Sequence, residues 1–99
     1  MEKRSPHYRL SAIQQQMISI EMMNLTVSAQ NGIRMAGMDK ESALEVVQGL
    51  ARTDFYKSMT TNIDHRVWQD VYHGQWHGKP LYVKFQQAGG YFVVSFKER

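Results

Sequence analysis

Apolar residues keep two different periods along this chain, and the switch between them divides it. In the first half they recur at helical spacing. Leu10, Ile13, Met17 and Ile20 fall on one stripe with Gln14, Gln15 and Gln16 between them, which predicts a helix running to about Ile20. Ser11 is placed to cap that helix or to lie in its first turn, and Pro6 discourages helix ahead of it. Thr26 predicts the cap of a second, short helix through Ile33, interrupted by Asn31-Gly32. Asp39 predicts the N-cap of a third, with Glu41 in its first turn where negative charge is favourable. Ala43, Leu44, Val47 and Leu50 form the apolar stripe of this helix, and Gly49 is placed to end it. Met22, Met23, Met35 and Met38 read as fillers of core gaps.

The second half alternates. Arg52–Asp64 fits neither period for long and reads as a turn followed by a short extended piece, with Asp54 capping a turn over Phe55, Tyr56 and Lys57. Val67–Tyr72 returns to period two, and His73–Pro80 reads as a polar loop. The clearest signal is Leu81–Lys97, two alternating runs around Gly89-Gly90. A glycine pair suits a two-residue hairpin turn, because both central positions need positive φ. With the glycines as the whole loop, Ala88 faces Tyr91, Lys84 faces Ser95 and Tyr82 faces Lys97. Leu81, Val83, Phe85, Phe92, Val94 and Phe96 then point to the core. Folding Val67–Tyr72 back through the polar loop brings Gln69 roughly opposite Tyr82. The expected fold class is α+β: N-terminal helices packed on a C-terminal antiparallel sheet, in one domain over residues 1–99.

Composition narrows the chemistry. The absence of cysteine excludes disulfides, thiolate metal sites and cysteine nucleophiles, and fits a reducing, cytoplasmic location. No apolar run approaches membrane-spanning length. The basic N-terminus is followed by no apolar stretch, so it does not read as a secretory signal. Net charge is +3, all of it in residues 52–99, which also hold nearly all the aromatics. A basic, aromatic, strand-forming half is compatible with a nucleic-acid surface, although strands favour aromatics in any case.

No phosphate loop, HExxH or GxSxG motif is present. His73 and His77 flank a glycine-bearing loop without a nearby acidic ligand, so no metal site is assigned and no cofactor is expected. His7 and His65 titrate in the right range for acid–base work, but nothing in their spacing selects either. The sharper group comes from the sheet: Tyr82 and Lys97 across the hairpin, Gln69 on the neighbouring strand, and Lys57 approaching from the segment before it. Two ammonium groups suit a phosphodiester, because they stabilise charge developing on the phosphorane oxygens. A lysine or tyrosine near a ribose 2′-hydroxyl can help move its proton if its surroundings tune its pKa. Arg66, Lys79 and Lys84 are candidates for further RNA phosphate contacts. Trp76 is a candidate for stacking on a base or for lidding the sheet edge. The same residues also describe a solvated polar face.

The opening MEKRSPHYRLS, the central DFYKSMTT and IDHRVWQDVY, and the closing LYVKF and VVSFKER resemble the motility quorum-sensing regulator (MqsR) toxin family. The resemblance is strong over Asp54–Arg99 outside the His73–Pro80 loop, which departs from the family's more basic version. It implies a RelE-like ribonuclease fold. It also implies a messenger-RNA interferase of a type II toxin–antitoxin system, cutting RNA at short GC-containing triplets without a ribosome. The implied partners are messenger RNA and a cognate antitoxin with a zinc-binding N-terminal domain and a DNA-binding helix-turn-helix domain. The family's functional lysine in FYKS corresponds to Lys57, its glutamine in WQDVY to Gln69, its tyrosine at the start of the penultimate strand to Tyr82, and its lysine in SFKE to Lys97. A non-catalytic nucleic-acid-binding module and a partner-docking module remain the alternatives.

Overall fold

The computed structural model describes all residues, Met1–Arg99. Six strands form one sheet: β1 (Glu2–Lys3), β2 (Asn24–Leu25), β3 (Phe55–Thr60), β4 (Trp68–Trp76), β5 (Lys79–Ala88) and β6 (Tyr91–Glu98). Their spatial order is β1-β3-β4-β5-β6-β2. All neighbours are antiparallel except β2, which runs parallel to β6. Three helices, α1 (Leu10–Gln16), α2 (Val27–Met35) and α3 (Lys40–Gly49), precede the four long strands. The expected α+β arrangement is therefore present: N-terminal helices packed against a C-terminal antiparallel sheet. Core residues come from both layers. Ile13, Met17, Ile33 and Val47 from the helical half meet Tyr72, Leu81, Val83, Phe85, Val94 and Phe96 from the sheet.

Local chemistry explains the helix ends. Thr26 Oγ1 accepts from the Ala29 amide at 3.0 Å, and Asp39 Oδ1 accepts from the Ser42 amide at 2.8 Å, so both predicted caps are present. The first helix is shorter than its stripe predicts. It ends at Gln16, and Ile20–Met22 form a separate 3₁₀ turn. Ile18, Ser19 and Ile20 are weak helix formers, and the Gln48 amide donates to the Met17 carbonyl at 2.6 Å, giving the helix end a partner. The intervening glutamines are anchors rather than spacers. Gln14 Nε2 donates to the Val47 and Leu50 carbonyls, joining α1 to α3. Gln16 exchanges two hydrogen bonds with the Phe92 backbone and so extends the β6 ladder.

Asn31-Gly32 does not interrupt α2. Gly32 instead lets the helix lie directly against β6, because a Cβ at this position would overlap the Phe96 carbonyl oxygen. Met17, Met23 and Met38 are buried as gap fillers, but Met22 and Met35 are exposed. Asp54 does not cap a turn over Phe55–Lys57. Its carboxylate accepts from the Ala51 amide at 2.8 Å, closing the Arg52–Asp54 turn, and Phe55 already begins β3.

The largest departure concerns His73–Pro80. Strands β4 and β5 run on through it and leave a turn only at His77-Gly78, both with positive φ (48° and 79°). The apolar pattern is silent here because Gly74, which has no side chain, takes the core position against Val46, Val83 and Leu50. The longer hairpin moves the β4 register: His73 faces Tyr82, and Gln69 faces Gln86 instead of Tyr82.

Candidate active site

Register fixes which side chains share a face, since directly paired residues point the same way. One face is covered by the helices. On the open face, Lys57, Val71, Lys84 and Ser95 form one row across β3, β4, β5 and β6. His73, Tyr82 and Lys97 form the next row. Met59, Gln69, Gln86 and Val93 form the row on the other side. Lys57, Gln69, Tyr82 and Lys97 thus stand on one surface. The hairpin pairs Tyr82↔Lys97, Lys84↔Ser95 and Ala88↔Tyr91 match the sequence reading.

Lys57 reaches this face through an irregularity. The β3–β4 register shifts between Phe55 and Lys57, leaving Tyr56 as the extra residue. Such a bulge re-aims side chains. Phe55 stays packed against the core, while Tyr56 stacks on His73 at 4.5 Å and on Tyr82 at 6.2 Å between ring centroids. The sequence gives Tyr56 no role and weighs His73 only as a metal ligand. The bulge and the longer hairpin bring them in, and no short motif announces either.

The charges are unequal in their commitments. Lys57 Nζ donates to Glu2 Oε1 at 2.7 Å, and this carboxylate pushes the lysine's pKa up while the lysine pulls the carboxylate's down. Lys84 and Lys97 are in no ion pair. The Arg99 guanidinium lies 5.7 Å from the Tyr82 ring centroid. Gln69 donates to Gln86 Oε1 at 3.0 Å, which fixes its amide orientation on the face.

Glu2 is held in place from below. Asp70 is fully buried, and its two oxygens accept from Ser58 Oγ at 2.6 Å, the His7 amide at 3.1 Å and the Tyr8 amide at 2.8 Å. These bonds pin the N-terminal segment to β3 and β4, and β1 then pairs Glu2 with Met59 beside Lys57. Asp70, rather than Gln69 next to it, is the structural keystone of WQDVY.

A groove of about 460 Å³ runs along the site's edge between α2 and β6. Ser28, Asn31 and Met35 line its helix wall, and Tyr82, Lys84, Ser95 and Lys97 line its sheet wall. The remaining candidates are elsewhere. Lys79 donates to the Ala36 carbonyl at 2.8 Å and approaches Glu98 at 3.7 Å. Trp76 packs against the core and stacks on His77. Both belong to the helix-covered side by alternation. Arg66 lies in the β3–β4 connection, bound to Asp64. Of the secondary RNA contacts expected, Lys84 alone lies among the main residues. No three His, Asp or Glu side chains converge in a metal-binding group.

Residues 5–98 match the family model for the motility quorum-sensing regulator, toxin of MqsA. The chain belongs to that family. It is similar, at 39% identity over the full length of both chains, to the mRNA interferase toxin MqsR of Escherichia coli (strain K12). Membership of the MqsR family accounts for the RelE-like arrangement of helices on a C-terminal sheet. It also places the chain among the toxin halves of toxin–antitoxin pairs. No helix in this MqsR-family toxin is long and apolar enough to cross a membrane.

Proposed function

We propose that this toxin is a sequence-specific, ribosome-independent endoribonuclease that cuts messenger RNA at short GC-containing triplets, without a metal ion. The observation that carries the reading is the shared open face, with Tyr82 directly opposite Lys97 and Lys57 one row away. The ribose 2′-hydroxyl attacks the adjacent phosphorus, giving a 2′,3′-cyclic phosphate and a 5′-hydroxyl. Lys57 and Lys97 stabilise the phosphorane from opposite sides of the strip. Tyr82 orients the scissile phosphate and takes part in proton transfer. Gln69, steadied by Gln86, holds the neighbouring nucleotide, about two rows along from Tyr82. Lys84 adds a further phosphate contact. The antitoxin that neutralises the protein carries a zinc-binding N-terminal domain and a helix-turn-helix domain.

The test is a defined RNA incubated with wild type and with Lys57→Ala, Tyr82→Phe and Lys97→Ala, in the presence of a chelator. Cleavage by wild type, with losses of about 10²–10³-fold for the lysine variants, supports the reading. RNA that is retarded but left intact, with Lys57→Ala losing affinity alone, would replace it with a passive binding module.

A further inference from the structure

His73 stands in the middle of the site, although the family resemblance carries no role to it. It faces Tyr82 across β4 and β5, and Tyr82 faces Lys97 across β5 and β6. Imidazole, phenol and ammonium therefore share one row. The ring is held by stacking on Tyr56 at 4.5 Å, and its centroid lies 5.5 Å from that of Tyr82. Of the four imidazoles, only that of His7 takes part in a hydrogen bond within the protein. The ring nitrogens of His73 are free to meet a substrate.

In-line attack needs a group that removes the 2′-hydroxyl proton at neutral pH. Lys57 is a poor choice, because Glu2 stabilises its ammonium form. Glu2 is a poor choice for the converse reason, since Lys57 holds its carboxyl below the usual range. We propose that His73 is the general base of this toxin, an inference that rests on the RNA-cleavage reading above.

A ring nitrogen of His73 accepts the proton as the 2′-oxygen forms its bond to phosphorus. The bond from phosphorus to the 5′-oxygen breaks, and that oxygen takes a proton from the Tyr82 hydroxyl. Exchange with solvent returns both groups to their starting states. Burial, and then the Arg99 guanidinium, push the His73 pKa below 6.5, against a smaller opposing pull from Asp54. The imidazole is thereby mostly neutral at pH 7, as a base requires. Tyr56 and Lys57 approach it from β3, Tyr82 from β5, and Lys97 and Arg99 from the end of β6. Glu45 of α3 and Asp54 line a cavity together with it.

The experiment measures single-turnover cleavage of a defined RNA from acid to alkaline pH for wild type, His73→Gln and His73→Ala. Thermal unfolding and RNA retardation are measured on the same samples to confirm that the variants fold and bind. The wild-type rate should rise with pH along a limb centred below 6.5. His73→Gln should lose about 10²–10⁴-fold in rate and lose that limb, while binding is kept. Added imidazole should restore part of the rate to His73→Ala. The inference is overturned if wild type cleaves and His73→Gln cleaves at the same rate with the same acid limb. It is equally overturned if the loss in His73→Ala is untouched by imidazole and the limb persists, since His73 then acts by packing alone. If wild type itself leaves RNA intact, the cleavage reading fails first and this inference goes with it.

Discussion

Replacing Gly32 by alanine sets two effects of opposite sign against each other. Gly32 lies inside α2, where Gly→Ala normally stabilises a helix by about 0.5–1 kcal/mol. The added methyl, however, overlaps the Phe96 carbonyl oxygen and crowds the Phe96 carbonyl carbon at 3.1 Å. Those are backbone atoms of a paired strand, so no rotamer change relieves the contact. Overpacking of this kind costs about 1–3 kcal/mol. The net expectation is a destabilisation of about 1–2 kcal/mol, or a fall in Tm of about 4–15 °C for a domain of this size. Gly49 is the control. It closes α3 without a positive φ, and a Cβ added there would meet no atom within 4 Å, so Gly49→Ala should raise Tm by a few degrees. Thermal unfolding followed by far-ultraviolet circular dichroism reads both. A rise in Tm for Gly32→Ala, matching that of Gly49→Ala, would refute the close seating of α2 on β6. The groove beside Tyr82 and Lys97 depends on that seating, because α2 forms one of its walls.

Other expectations are independent of this one. Asp70→Ala leaves two backbone amides and the Ser58 hydroxyl without their acceptor, and should cost about 3 kcal/mol in urea unfolding at roughly 1 kcal/mol per orphaned group. Tyr72→Phe should be neutral or stabilising by about 1 kcal/mol, because the Tyr72 hydroxyl is buried without a protein partner and burial pushes its pKa up to about 12; a loss of stability in the same assay would show that the hydroxyl is satisfied. Acid should weaken the fold through Glu2 and Asp39, whose folded pKa values lie below their ordinary 4.5 and 3.8. Their contributions are complete above those values and are lost as pH falls through the lower folded ones, so an acid titration of Tm should turn down below about pH 4.5 for wild type and less steeply for Glu2→Gln.

The hairpin was legible because two signals coincide there. Alternation assigns faces, Gly89-Gly90 sets the turn, and a one-residue slip would bury Tyr82 and Lys84. The caps at Thr26 and Asp39 were legible because each is a local side-chain bond three residues long. The β4–β5 register was not, because the core position at Gly74 carries no apolar side chain and the turn sits at His77-Gly78 rather than over the whole polar run. The longer hairpin puts His73 opposite Tyr82 and sets Gln69 four positions from Tyr82, about 13 Å along the strand. The Glu2–Lys57 pair joins residues 55 positions apart, and the Asp70 anchor spans a similar separation. Neither leaves a periodic trace, since each depends on how the N-terminal segment returns to the sheet.

RNA cleavage by the open face is tested most directly by the chemistry of the ends left on a cut RNA of defined sequence, with a chelator present. Attack by the 2′-hydroxyl leaves a 2′,3′-cyclic phosphate on one fragment and a 5′-hydroxyl on the other, and permits no cleavage where the ribose at the cut site is replaced by deoxyribose. A 5′-phosphate with a 3′-hydroxyl, or cutting that persists without the 2′-hydroxyl, would contradict it.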